Sequence, residues 1–560
     1  MKKYINKFIL GSLTGAALMG LGACTNLDEE ICDQIAAEKY EFTNTEAQAM
    51  LAPVFDAIYD IYSMNGIMCV QDECTDLWCI PARLGVGWGT YYIKLHDHGF
   101  HDGISHCRNI WNYCYSGIAS CNSLLENQAV TGSEQAAAQI RGYRAFFYYM
   151  LFDLFRYIPL DKSYTHEDGW LATQADPQES WDWIISELND IKDKVGESNG
   201  FGKINKAAIN MILAKMYLNH NAWTKEVVQF DPSTKFTASD TYYQKAIDEV
   251  QEIINGGQYS LAANYTDCFK NDISGCKEII FGLPAEQGYN SWSSMTGIWM
   301  NLAGMARWGG YKSWATGGGA GLPQFIESYD EDDQRLSDCW IYGQQYDQSG
   351  AAIMSGGEPL IYTLELTNIN GCYPMEGARM TKWEYDTNGY GTLYVDLPIF
   401  RYADALMIKA ECLLRLGSYK GENKQTAADL VSQVRARDFA DSADAQRTVA
   451  DLEGGSVYPY GMRYKDSKDD GGASHETHEG GDDIILGGLL DDLAWEFLHE
   501  THRRQDLIRF ELTTGGNVFN MKSWFSKQAE TNAKDYHKDV FPIHKTPMAS
   551  NPNLKQTPGY

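Results

Sequence analysis

The stretch 396–417, DLPIFRYADALMIKAECLLRLG, restricts the choice of fold more than any other part of the chain. Pro398 marks an extended lead-in, after which the segment is apolar on nearly every side. Only Arg401, Asp404, Glu411 and Arg415 form a consistent polar line, and their spacings of 3, 7 and 4 gather on one stripe of a helix. A helix apolar around most of its girth has to be covered by neighbours. Four charges in a short segment argue against a membrane span. The segment therefore reads as the buried central helix of a large helical layer.

Helical spacing recurs elsewhere. It runs over 45–62, after the cap signal Thr43-Asn44-Thr45, and over 103–127, 134–159, 180–195, 204–223 and 240–255. After the central segment it continues over 426–437 and 491–510. Small residues with interleaved aromatics, such as Ala207, Ala208, Ala214 and Tyr217, suggest tetratricopeptide-like hairpins of irregular period. Residues 71–101 differ in texture, with Pro81, several glycines and the aromatics Trp78, Trp88, Tyr91 and Tyr92. Residues 258–395 lack long helical patterns and carry Gly317-Gly318-Gly319, Gly356-Gly357 and six tryptophans. An excursion that long is functional or disordered, and its aromatic content argues for function. Residues 442–481 form a second loop, acidic and glycine-rich.

The formal net charge of −29 argues against nucleic acid as partner and against electrostatic docking on anionic lipid. Residues 1–23 read as a signal peptide, with Lys2, Lys3 and Lys7 before an apolar centre, and Leu21-Gly22-Ala23 before Cys24. Of the thirteen cysteines, Cys107, Cys114 and Cys121 repeat every seven residues, so they share a helix face about two turns apart, too far for mutual disulfides. They read as small buried hydrophobes. Cys74 and Cys79 are near enough in sequence to pair in a loop, but no zinc-type spacing occurs.

Enzyme signatures are missing. No phosphate loop, nucleophile elbow or dinucleotide fingerprint stands in its structural setting. HETH occurs at 475–478 and 499–502, neither with the spacing of a zinc protease. His96, His98, His101 and His106 read as core or solvent histidines, and the acidic runs 331–333 and 466–472 as charged loops, without the spacing of a calcium hand. Binding has better support. An aromatic ring can stack on the C–H face of a sugar while Arg, Asn and Asp meet its hydroxyls. The loops 71–92 and 290–315 supply both kinds of group: Asp76, Arg83 and Asn301 beside Trp78, Trp88, Tyr91, Trp292, Trp299 and Trp308.

The segment RYADALMIKAECLLRLG resembles the late helical motif of the SusD/RagB family, nutrient-binding surface lipoproteins of Bacteroidetes-type bacteria. So does the early loop, through Asp72-Glu73 or Asp76, Arg83, Trp88 and Leu95-His96-Asp97-His98, although Gly87 stands where the family has Asp before the tryptophan. Trp111, Tyr115, Ile118 and Asn122 are similar to its second helix, and Arg141, Arg144, Phe147, Leu151 and Leu154 to its third. Residues 155–160 depart from its turn pattern. Glu496, Phe497, Glu500, Arg503 or Arg504, Asp506, Leu507 and Arg509 follow a late family segment, and FPIHKTPMASNPNLKQTPGY its end, with His544 and Thr557 substituted.

The resemblance spans 24–560 and implies a mostly α, SusD-like fold: tetratricopeptide-like hairpins at 44–257, 400–440 and 489–512, packed against a loop-rich, ligand-binding half. It implies a lipid anchor at Cys24, in a lipobox-like LGAC followed by acidic residues, and exposure on the outer face of the outer membrane. It also implies a glycan ligand held between the early loop and the excursion, delivered to a TonB-dependent, SusC-like barrel. No enzymatic activity and no cofactor are expected, a structural calcium ion being unsupported by any motif. An oligopeptide ligand, as in RagB-like relatives, is the alternative, and a glycoside hydrolase, which needs two carboxylates at a set separation, a distant third.

Overall fold

In the computed structural model, residues 44–63, 65–85, 92–197, 201–224, 240–285, 318–384, 396–465, 473–514, 518–528 and 537–560 are described. Several helices start where the sequence supplies caps. The Asp176 carboxylate accepts from the amide of Gln178 to open Pro177–Ile191. Asn205 does the same for Lys206–Trp223, and Asn423 for Lys424–Arg435. Gly417, at φ 82°, terminates the central helix Tyr402–Leu416.

The long helices pack in a serial row. Asn44–Ile61 lies on Ser105–Leu125, which lies on Glu134–Phe155, which in turn meets Pro177–Ile191. A second run pairs Lys206–Trp223 with Asp240–Gly256, then the central helix, then Lys424–Arg435. Cys107, Cys114 and Cys121 all face the core, as their spacing implied. Cys74 and Cys79 are both buried free thiols.

The central helix is buried on all sides except at its ends, and each residue of its polar stripe has an ionic partner. Arg401 Nη1 lies 2.5 Å from Glu278 and 3.1 Å from Glu496, while its Nε meets Glu500 at 2.6 Å. Asp404 pairs with Lys215 at 2.7 Å. Glu411 accepts from Arg509 at 2.7 Å and Arg415 at 2.8 Å. Burial alone would raise the Glu411 pKa, but the two guanidiniums outweigh it and hold the carboxyl at about 2. A charged group inside a core survives only with such partners.

The periodicity over 491–510 predicts one helix, and the structure divides it into Gly487–Glu496 and Arg503–Thr514. Between them His499 and Thr501 adopt φ of 54° and 65°, which an α-helix cannot include. The break turns Glu496 and Glu500 toward Arg401, and frees Arg503 and Arg504 to reach other elements. Its second HETH is this kink: the His499 ring packs on Trp78, and His502 stacks on Phe497.

Within 258–395 the described helices are short, Gln334–Cys339 among the longest, and the strands pair in small antiparallel sheets. Met354–Ser355 and Glu358–Pro359 form a hairpin closed by Gly356 and Gly357, both at positive φ (63° and 94°), as a two-residue turn demands. Ile341, Leu360 and Tyr362 make a small core of their own beneath it, apart from the main one.

Candidate functional site

The early loop is drawn into the scaffold. Asp76 is buried and receives both Nε and Nη2 of Arg503 at 2.7 Å, with Tyr460 donating its hydroxyl at 2.7 Å. Trp78 pairs through its backbone with Gly321, and its ring sits edge-on to His499 at 4.0 Å between centroids. A Cβ on Gly319 would come within 1.7 Å of that ring, so the indole occupies the space a side chain would need. At 1% exposure Trp78 offers no face to a ligand, and Asp76 has its charge matched inside. These two positions, expected among the ligand contacts, fasten the loop instead.

Arg83 has a different kind of task. Its backbone bridges to Cys372, with Ala82 N–H donating to Ile369 and Leu84 N–H to Cys372. Its guanidinium is 3% exposed and donates to the carbonyls of Glu376 (2.8 Å), Tyr373 (3.2 Å), Pro374 (3.2 Å) and Gly318 (3.3 Å). Arg379 serves the same turn, donating to Glu376 and Gly377, and burial followed by the neighbouring Arg83 lowers its pKa to about 9. Arg83 thereby fixes the end of the early loop to Gly318, where residues 286–317 rejoin the described chain, and to the turn 373–376.

What lies outward from this hub is apolar and aromatic. Among the described residues, eleven large apolar side chains are strongly exposed, and six of them belong to this region: Leu84, Tyr342, Tyr346, Met354, Ile361 and Tyr373. Tyr373, 67% exposed, follows directly on the Arg83–Cys372 bridge. Tyr342 (42%) and Tyr346 (51%) line an open cleft of about 690 Å³ together with Glu331, Asp332, Gln344 and Asp347. Trp340, buried under Gly321, closes one wall. Among the described residues none lining the cleft is basic. Rings beside carboxylates and amides can stack on a C–H face and accept from hydroxyl or amino groups, without attracting an anion.

Trp88, Tyr91, Trp292, Trp299, Asn301, Trp308 and the lipidation position Cys24 lie outside the described residues. The acidic run 331–333 is split by its surroundings: Asp333 caps Gln334–Cys339 and binds Arg335 at 2.7 Å, while Glu331 and Asp332 face the cleft. Among the described residues no three His, Cys, Asp or Glu side chains gather as metal ligands. The run 466–472 also lies outside. Sequence reasoning passed over Tyr342, Tyr346 and Tyr373. The Gly356-Gly357 turn marks a hairpin, but the three tyrosines lie outside its two strands, so no sequence signal points to them.

The molecule is a helical scaffold that pairs its buried charges and projects aromatic side chains from a helix-poor excursion. The SusD family model matches residues 227–560, and the chain belongs to that family. It is 24% identical over 543 residues to the starch-binding protein SusD of Bacteroides thetaiotaomicron, covering 87% of this chain and 83% of that one. A SusD superfamily protein from Parabacteroides distasonis superposes with a TM-score of 0.64 at 17% identity, over 93% of this chain and 100% of the other. Surface glycan-binding protein A from Bacteroides thetaiotaomicron, solved in complex with laminarihexaose, gives 0.63 at 15% identity, over 92% and 100%. At such identities the solved structures establish the fold, which is mostly α and SusD-like. None of these relatives carries the name of an enzyme.

Proposed function

We propose that this chain is a cell-surface protein that binds oligo- or polysaccharide and delivers it to a TonB-dependent, SusC-like outer-membrane barrel. Residues 1–23 act as signal peptide, lipid on Cys24 anchors the protein to the outer face of the outer membrane, and 24–560 fold as one SusD-like domain. The observation that carries the reading is the concentration of exposed aromatic residues on 318–384, beside a hub that roots both tryptophan-rich loops. The names of the starch-binding and laminarihexaose-bound relatives support a glycan as ligand. Trp88, Tyr91, Trp292, Trp299, Asn301 and Trp308 are placed at the ligand, with Tyr342, Tyr346 and Tyr373 extending the surface. Arg83, Asp76 and Trp78 act from beneath by holding the loops.

Affinity electrophoresis against a panel of polysaccharides tests the proposal. Retention by at least one glycan, reduced by Trp88→Ala by about 1–3 kcal/mol in titration, is the expected result. Retention of peptides with no glycan retained would transfer the ligand to the oligopeptide reading. The acidic lining of the cleft (Glu331, Asp332 and Asp347) favours a basic peptide in that case.

A further inference from the structure

We propose that Cys268 and Cys276 are a modification site at which an organic disulfide oxidises the pair to an intramolecular disulfide. Their sulfurs stand 3.8 Å apart at the two ends of one short loop, Cys268 in the turn Tyr265–Phe269 and Cys276 after a bend in which its amide donates to Ile273. Closing the bond brings the sulfurs roughly 1.8 Å nearer, which side-chain rotation in a surface loop can provide.

The two thiols are unequally disposed for the reaction. Cys268 is buried, whereas Cys276 is partly open to solvent. The hydrogen bond from Cys268 holds the Cys276 pKa down at about 7, against the opposing effect of burial. Cys276 is therefore the attacking thiolate. It displaces one sulfur of the incoming disulfide and forms a mixed disulfide. Cys268 then gives up its proton and attacks the Cys276 sulfur, expelling the second exogenous thiolate. Two protein thiols become one disulfide, one exogenous disulfide becomes two thiols, and the two protons pass to those leaving groups.

The loop so closed is a seat for the excursion. Asn271 accepts from the amide of Asp396 at 3.0 Å, and the Asp396 carboxylate accepts from Ile273 at 3.0 Å and Ala285 at 2.8 Å. Glu384 is held there too, donating from its amide to Phe269 at 2.8 Å and accepting from Asn271 at 2.7 Å. Residues 285, 384 and 396 adjoin the segments 286–317 and 385–395, so the bond would brace the place from which both depart.

The test uses the full chain, reduced, freed of reductant and exposed to glutathione disulfide, then alkylated in denaturant and mapped by mass spectrometry. The expected result is a crosslinked 268–276 peptide with two fewer alkylated cysteines, and alkylated Cys268 with no crosslink in the Cys276→Ser variant. Persistence of both thiols, or arrest at a stable glutathione adduct on Cys276, overturns the proposal. Glycan binding is measured separately on the same samples, so failure of the crosslink and failure of the glycan reading are distinguishable.

Discussion

The charged groups around the central helix Tyr402–Leu416 and the aromatic groups of 318–384 show one chain spending side chains in opposite directions. Around the helix, arginines and carboxylates turn inward and neutralise one another: Arg335, Arg401 and Arg437 converge on Glu496, and Arg509 on Glu411. On the excursion, Tyr342, Tyr346 and Tyr373 turn outward and are strongly exposed among the described residues. The inward set lies at the positions that resemble the family most closely, including Arg401, Glu496, Glu500, Arg503 and Arg509. Those motif residues are a structural grid, so the recognisable part of this chain is its frame. On the proposed reading, ligand choice rests on side chains that leave the frame undisturbed when they change.

The frame should fail first when a member of the grid is removed. Arg401→Leu takes one buried cation from each of Glu278, Glu496 and Glu500, leaving them to Arg437, Arg335 and Lys382, and a loss of about 3–5 kcal/mol is expected in urea unfolding. A loss below about 1 kcal/mol would show that the inward charges do not hold the frame.

Acid should dismantle the same grid. Guanidinium partners overcome burial to hold both Glu411 and Glu496 at about 2, against an ordinary value of 4.5. Each contributes stability that is present above pH 4.5 and lost as pH falls toward 2, worth about 3 kcal/mol apiece. Asp72 and Asp491 act in the opposite sense, since burial lifts them to about 8 and about 7. Their contribution is full below pH 3.8 and lost as pH rises through 7 to 8. Thermal melts from pH 2 to 9 should therefore peak on the acid side of neutrality.

The boundary between the regions is sharpened by Gly319→Ala, whose new Cβ would collide with the Trp78 ring. An expected cost of about 1–3 kcal/mol, with loss of near-ultraviolet tryptophan dichroism, would place the early loop on the side of the frame. The smallest structural effect belongs to Tyr342→Ala with Tyr346→Ala. Stability should stay within about 0.5 kcal/mol, while glycan titration weakens by about 1–2 kcal/mol. Destabilisation without a change in binding would show the exposed rings to be part of the frame after all.

The helical layer was legible because its apolar residues repeat with a period that one sequence reveals. Of the polar line read on this segment, Asp404 and Glu411 tie the central helix to its helical neighbours, while Arg401 sits at the end of the preceding strand and reaches Glu278 in a turn. The division at 497–502 was hidden, since Phe497 and His502 keep helical spacing while His499 and Thr501 leave helical geometry. Asp76 and Trp78 read as loop residues because their partners lie far off in sequence: Arg503 is 427 residues from Asp76, and Gly321 meets Trp78 only through a strand pair. Periodicity carries local information alone, so contacts of that range leave no trace in it.

On the proposed reading, Arg83 bears on affinity without having to meet a ligand. Its guanidinium binds Gly318 on one side and the turn 373–376 on the other, at the end of the early loop that carries it. On the proposed reading, the two loops rooted on this planar cation are tethered half-sites. For any ligand that touches both, the first contact delivers it to the second at an effective concentration set by that fixed separation, and avidity follows without additional contacts.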